Sequence, residues 1–142
     1  LKQMGPTEAD IYAVATVQEE IGLRGAAASG WSVKPDVCVA LDITQANDIP
    51  GVPEQDQITR LGQGTAIKIM DSSLICHPKV VEHFRSVAEK QSIKHQMEIL
   101  SRGGTDAGAV QRLHGGIDLR APPMRDRPAG GMTGGCVGVG PA

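Results

Sequence analysis

Ala15-Thr16-Val17-Gln18-Glu19-Glu20-Ile21-Gly22 is the stretch on which the reading of this chain turns. An apolar run (Ile11, Ala13, Val14, Val17) leads into two adjacent carboxylates, and a glycine follows at once. Paired glutamates most often lie on a solvated helix face. Here the run before them reads as a buried strand over Asp10–Val17, short, apolar and bounded by polar residues. Gly22 marks a tight turn, and a second apolar run ends in its own acid at Asp42. Glu19-Glu20 is therefore expected to be an active-site pair at the end of a strand.

Working outward, Lys34-Pro35 restarts the chain, and Asp36–Leu41 reads as a second buried strand. Residues 43–58 are polar and punctuated by Asn47-Asp48, Pro50-Gly51 and Pro53, which predicts an ordered loop long enough to be suspected of function. Thr65–Met70 alternates as a third strand. His77-Pro78 opens a helix, with proline in its first turn. Val80, Val81, Phe84, Val87 and Ala88 share one face at helical spacing, opposite Glu82, Arg85, Glu89 and Lys90. Ile93–Leu100 reads as a fourth strand. Gly103-Gly104-Thr105-Asp106 then leads into a short helix over 107–113. A further short helix is expected from about Leu23. Alternating strands and helices predict an α/β fold with a mostly parallel mixed sheet flanked by helices.

Composition narrows the possible functions. The chain has 142 residues, enough for one domain with a core. A net charge of -2 leaves no basic footprint for nucleic acid. One Trp, one Tyr and one Phe give little for base stacking or a sugar cleft. Trp31 is expected to cover a core edge. Cys38, Cys76 and Cys136 are widely spaced and odd in number, which points to free thiols in a reducing, cytoplasmic compartment. No apolar run approaches the roughly 20 residues of a membrane span, and the N-terminus has no signal-peptide plan. The chain begins at Leu1, and its last 25 residues change character, so it reads as a piece of a longer protein.

Three carboxylates, Glu19, Glu20 and Asp42, would converge if the two strands are near neighbours, since sites in open α/β sheets form at the carboxyl ends of strands. Such a cluster calls for a cation or a shared proton. One acid can bind a metal while the other takes a proton from metal-bound water, a division that suits hydrolysis. A glycosidase pair needs carboxyls roughly 5–9.5 Å apart across a bond, a poor match to sequence neighbours. Gly103, Gly104, Thr105 and Asp106 form a second candidate site. There the glycines would let a backbone approach a ligand and the helix N-terminus offers free N–H groups. Thr105 or Asp106 would be the cap. His77, His83, His95 and His114 make no HxxxH pair; His114, after the glycine-rich motif, is the strongest candidate ligand of the four.

Together, Thr16-Val17-Gln18-Glu19-Glu20-Ile21-Gly22-Leu23-Arg24-Gly25-Ala26, Ala40-Leu41-Asp42-Ile43-Thr44, Asn47-Asp48-Ile49-Pro50-Gly51, Leu61-Gly62-Gln63-Gly64 and Gly103-Gly104-Thr105-Asp106-Ala107-Gly108 resemble metallopeptidase family 42 in order. These are the glutamyl or tetrahedral aminopeptidases. The resemblance implies a dimetal enzyme, with zinc or cobalt, that removes N-terminal residues from peptides and assembles into homo-oligomers. It implies that Glu19 is the general base, Glu20 a terminal ligand of one metal and Asp42 of the other. The family's remaining metal ligands, a first histidine, a bridging aspartate and a last histidine, have no counterpart here. This chain is thus expected to hold metal feebly and to be inert alone. A related dimetal amidohydrolase or deacylase is the other reading. The resemblance covers 10–117, and residues 1–117 are expected to form a partial catalytic domain. Residues 118–142, with six Gly, four Pro and three Arg, read as a disordered tail or as an out-of-frame segment beginning near codon 118.

Overall fold

The computed structural model describes residues 5–113 and the backbone of the strand 136–140. The elements run α1 (Arg24–Val33), β1 (Cys38–Leu41), β2 (Thr65–Met70), α2 (Pro78–Lys90), β3 (His95–Ile99), α3 (Asp106–Gln111) and β4 (Cys136–Gly140). The four strands form one sheet in the order β1-β4-β2-β3. β1 pairs parallel with β4, and β2 parallel with β3, with Thr65 opposite His95 and Lys68 opposite Glu98. β2 and β4 run antiparallel, so the sheet is mixed, as the alternating pattern predicts.

The sheet and its helices follow from local pattern. β2 spans the residues that alternate in sequence, and Ala66 and Ile67 are both buried. α2 buries Val80 and Ala88, half-buries Val81 and Phe84, and leaves Glu82, Arg85 and Glu89 in an exposed ladder of ion pairs. Its first turn is closed by His77, whose Nδ1 accepts the Lys79 N–H at 3.2 Å, with Pro78 at the first helical position. Two small clusters make the core. One joins Ala40 of β1, Leu74, Cys76 and Ala107 of α3; the other joins Ile67 of β2 with Val80 and Ala88 of α2. Val81 touches both. α1 rests on α3 at Gly30, where an added Cβ would come within 2.7 Å of Leu113. The loop expected over 43–58 is ordered by its own bonds: Ala46 O accepts from the N–H groups of Ile58 and Thr59, and Asp48 Oδ2 from Leu61 N–H.

The structure corrects two expectations. Asp10–Val17 is not a strand, and Ile11, Val14 and Val17 are exposed, at 48%, 50% and 68%. An apolar run becomes a strand only when its N–H and C=O groups find a ladder partner, and none of the described strands pairs with it. Trp31 does not cover a core edge; it is 60% exposed on α1. Within the span 118–142, expected as a tail, the backbone of Cys136–Gly140 is described as a strand between β1 and β2. Most of that tail, and His114, lie outside the described residues. No helix among the described residues is long and apolar enough to cross a membrane.

Candidate functional site

The glutamate pair sits in a turn that the backbone builds tightly. Gln18 and Leu23 both adopt left-handed φ, at 58° and 57°, with Gly22 at 114° between them. The Glu19 carbonyl accepts from the N–H groups of Gly22 and Leu23, and the Val17 carbonyl from Gly25. The chain thus reverses immediately after Glu20 and enters α1. Gly25 makes this possible, because a Cβ there would lie 2.5 Å from the Val17 nitrogen. The strain of two left-handed non-glycine residues so close together is the kind that tertiary structure sustains around a site.

This turn faces the ends of two other elements. Asp42 directly follows β1, half-buried, with one carboxylate oxygen accepting the Ile43 N–H at 2.8 Å. Asp106 opens α3, and its Oδ2 accepts the Thr16 hydroxyl at 2.5 Å. Its other oxygen, Oδ1, is buried and has no hydrogen-bond partner among the described residues. Glu19 feels all of these. Its carboxyl is pushed above its ordinary value by loss of solvent first, then by Asp42, Glu20 and Asp106 in that order. Asp42, Glu20 and Asp106, the last from the second candidate motif, thus lie near enough to Glu19 to act on its charge.

The donors Glu20 and Asp42 are carboxylates, which divalent cations including zinc accept. The set is incomplete in number, since among the described residues no group of three or more His, Cys, Asp and Glu is arranged to hold a metal ion. His77 caps α2, His83 is exposed on the same helix, and His95 lies in β3.

The glycine-rich motif is largely engaged in packing. The Gly103 carbonyl accepts both the N–H and the hydroxyl of Ser72. A Cβ on Gly104 would meet Ser73 Oγ at 2.8 Å. Thr105 is the N-cap of α3 but makes no side-chain cap; it is buried, and its hydroxyl points to Asp71 Oδ2 at 3.4 Å.

Beneath these segments lies a group the sequence did not reveal. Lys68, Asp71 and Glu98 are 3%, 2% and 1% exposed. Lys68 Nζ is 2.9 Å from Glu98 Oε1 and 3.7 Å from Asp71 Oδ2. Glu98 Oε1 also accepts the Thr44 hydroxyl at 2.7 Å, and Asp71 Oδ1 accepts the N–H and hydroxyl of Ser73, each at 2.8 Å. The one signal in the sequence was a lysine at the centre of the alternating run that became β2.

Comparison with known proteins gives these features a setting. The profile of the M42 glutamyl aminopeptidase family matches residues 1–121. A lysyl aminopeptidase of Pyrococcus furiosus is 39% identical over 120 residues, covering 82% of this chain and 32% of that protein. An aminopeptidase of the archaeon Desulfurococcus kamchatkensis superposes with a TM-score of 0.72 at 40% identity, over 89% of this chain and 32% of its own. The TET1 peptidase of Pyrococcus horikoshii, whose subunits can assemble into a tetrahedron or a large octahedral shell, superposes with a TM-score of 0.59 at 26% identity, over 88% of this chain and 30% of its own. The chain spans about a third of the length of the relatives it matches.

Proposed function

The chain belongs to the M42 glutamyl aminopeptidase family, and we propose that it forms part of a metal-dependent aminopeptidase in which Glu19 is the general base. Glu20 and Asp42 would each hold one of two divalent ions, zinc or cobalt. The observation that supports this reading is the placement of Asp106, joined to the glutamate turn by the Thr16 hydroxyl, together with the raised proton affinity of Glu19 beside Asp42, Glu20 and Asp106. Adjacent acids then have distinct tasks. Glu19, partly withdrawn from solvent and beside three other carboxylates, has its proton affinity raised above the ordinary value, the direction that suits a general base. Glu20 is exposed at the rim of the turn, free to reach a ligand. When bound, the ions would neutralise the cluster and acidify a water.

The segment Gly103–Asp106 would line the substrate side. Asp106, placed where α3 begins, would help hold the free amine of a peptide substrate. The cluster lacks a third suitably placed donor among the described residues, so the chain alone would not turn over substrate. As in the Pyrococcus horikoshii relative, the whole protein would work as a homo-oligomer.

The test is a chimera in which residues 5–113 replace the matching third of the Pyrococcus furiosus lysyl aminopeptidase. Free-amine peptide anilides should be hydrolysed with zinc or cobalt present, and N-acetylated ones should not. Glu19→Gln should abolish turnover while metal binding persists. A chimera that works equally well with Glu19→Gln would remove Glu19 from the chemistry, and preference for the acetylated substrates would favour a deacylase.

A further inference from the structure

The buried triad sits between the two segments that carry the site's aspartates. From Lys68 one arm runs through Glu98 to the Thr44 hydroxyl, two residues beyond Asp42. The other runs through Asp71 to the Thr105 hydroxyl, the residue before Asp106, and Asp106 in turn accepts the hydroxyl of Thr16, three residues before Glu19. Among the described residues, Lys68 is thus a shared centre between the segments at 42–44 and 105–106, and Asp106 carries the link on to Thr16. Building the same core from apolar residues would be at least as stable, since a buried ion pair loses its hydration and often only breaks even. What a charged triad adds is direction, because hydrogen-bonded charges fix angles that apolar contacts leave loose.

We propose that Lys68 is a positioning residue of the acidic site, setting Asp42 and Asp106 against Glu19 through Glu98–Thr44 and Asp71–Thr105. This rests on the reading of Glu19, Glu20 and Asp42 as the functional acids. Lys68 does not itself reach that cluster, because its ammonium is engaged by Glu98 and Asp71.

The test uses the full 142-residue chain. Lys68→Met alone leaves two buried carboxylates without their counter-charge, so loss of folding in that variant would not bear on the proposal. Lys68→Met with Glu98→Gln removes one positive and one negative charge, keeps side-chain volume, and leaves an acceptor for Thr44. Two nuclear magnetic resonance readouts follow. Without metal, contacts between the side chains of Thr16 and Asp106 report the geometry of the site, and contacts between β2 and β3 report the core. With Mn²⁺ alone as a probe, paramagnetic broadening reports whether the amides of Glu19, Glu20, Asp42 and Asp106 lie around one ion. The double variant should keep the β2–β3 contacts, lose the Thr16–Asp106 contacts, and lose the joint broadening. If the double variant is folded and its Thr16–Asp106 contacts match the wild type, Lys68 serves only to balance charge and the proposal falls. Absence of Mn²⁺ broadening in the wild type would count against the metal reading, while the metal-free contacts still decide the role of Lys68.

Discussion

Thr16 and Asp106 are 90 residues apart in sequence, yet the Thr16 hydroxyl is bonded to Asp106 Oδ2, and this bond ties the glutamate turn to the start of α3. The other Asp106 oxygen is buried without a partner among the described residues. Thr16→Val keeps the side-chain shape and removes the hydroxyl that donates to Asp106. Leaving a partly buried carboxylate unsatisfied should cost about 1–3 kcal/mol. Urea unfolding checks it. An unchanged midpoint would mean that solvent replaces the threonine and that the turn is not held there.

Glu19 gives the protein a dependence on pH with a definite sign. Its folded-state pKa lies above its ordinary value of 4.5, raised by desolvation and by Asp42, Glu20 and Asp106. The folded chain thus holds this proton more tightly than the unfolded one. That contribution to stability is fully present below 4.5 and is lost as pH rises through the raised folded value. Glu19→Gln should flatten this part of the stability profile and leave the protein more stable than wild type at neutral pH. Urea midpoints measured across that window test it. A variant that loses stability at neutral pH would show that Glu19 makes a favourable contact outweighing the repulsion.

His77 ends the extended segment before α2 and accepts the Lys79 N–H through Nδ1. His77→Ala removes one of the few bonds available to the unpaired amides of the first turn, at a cost of about 1 kcal/mol. His77→Asp should do the reverse, since aspartate caps as well or better and places negative charge at the helix N-terminus, worth about 0.3–1 kcal/mol. Thermal midpoints of opposite sign for the two variants are the expected result. A loss in both would show that the ring's packing, and not its lone pair, matters.

What could be read from the chain divides by how local the cause is. β2 and α2 came out where their periodicity put them, because alternation and a 3.6-residue stripe are properties of the segment itself. The Glu19-Glu20 turn was legible from Gly22, and Asp42 from the acid closing β1. Asp10–Val17 was misread because its apolar pattern is that of a strand, while strand formation depends on a neighbour the segment does not encode. Lys68, Asp71 and Glu98 were invisible for the opposite reason. Charged residues ordinarily lie outside, and only the pairing of β2 with β3 places Lys68 opposite Glu98 and takes both out of water. The same limit hid the purpose of Gly104, whose neighbour Ser73 comes from a turn thirty-one residues earlier.

Gly25 offers the sharpest test of how the turn is built, because local and tertiary rules predict opposite signs there. It is the second residue of α1. By helix propensity alone, Gly25→Ala should stabilise, by up to about 1 kcal/mol. In the folded chain its N–H bonds the Val17 carbonyl at 3.0 Å, and an added Cβ would stand 2.5 Å from the Val17 nitrogen and 2.6 Å from its oxygen. Those are backbone atoms, so no side chain can swing aside. Either α1 withdraws from residue 17 or the turn carrying Glu19 and Glu20 opens. Overpacking of this kind costs about 1–3 kcal/mol and should outweigh the propensity gain, so the net change is a loss of stability. Ala28→Gly, on the exposed side of the same helix, is the control and should lose only the propensity difference. Urea unfolding of the two variants decides it, together with the amide shifts of residues 17–22. These shifts should move in Gly25→Ala and stay in place in Ala28→Gly. A Gly25→Ala protein more stable than wild type, with those shifts unmoved, would mean that the helix and the turn are not in contact and that Glu19 and Glu20 are held by α3 alone.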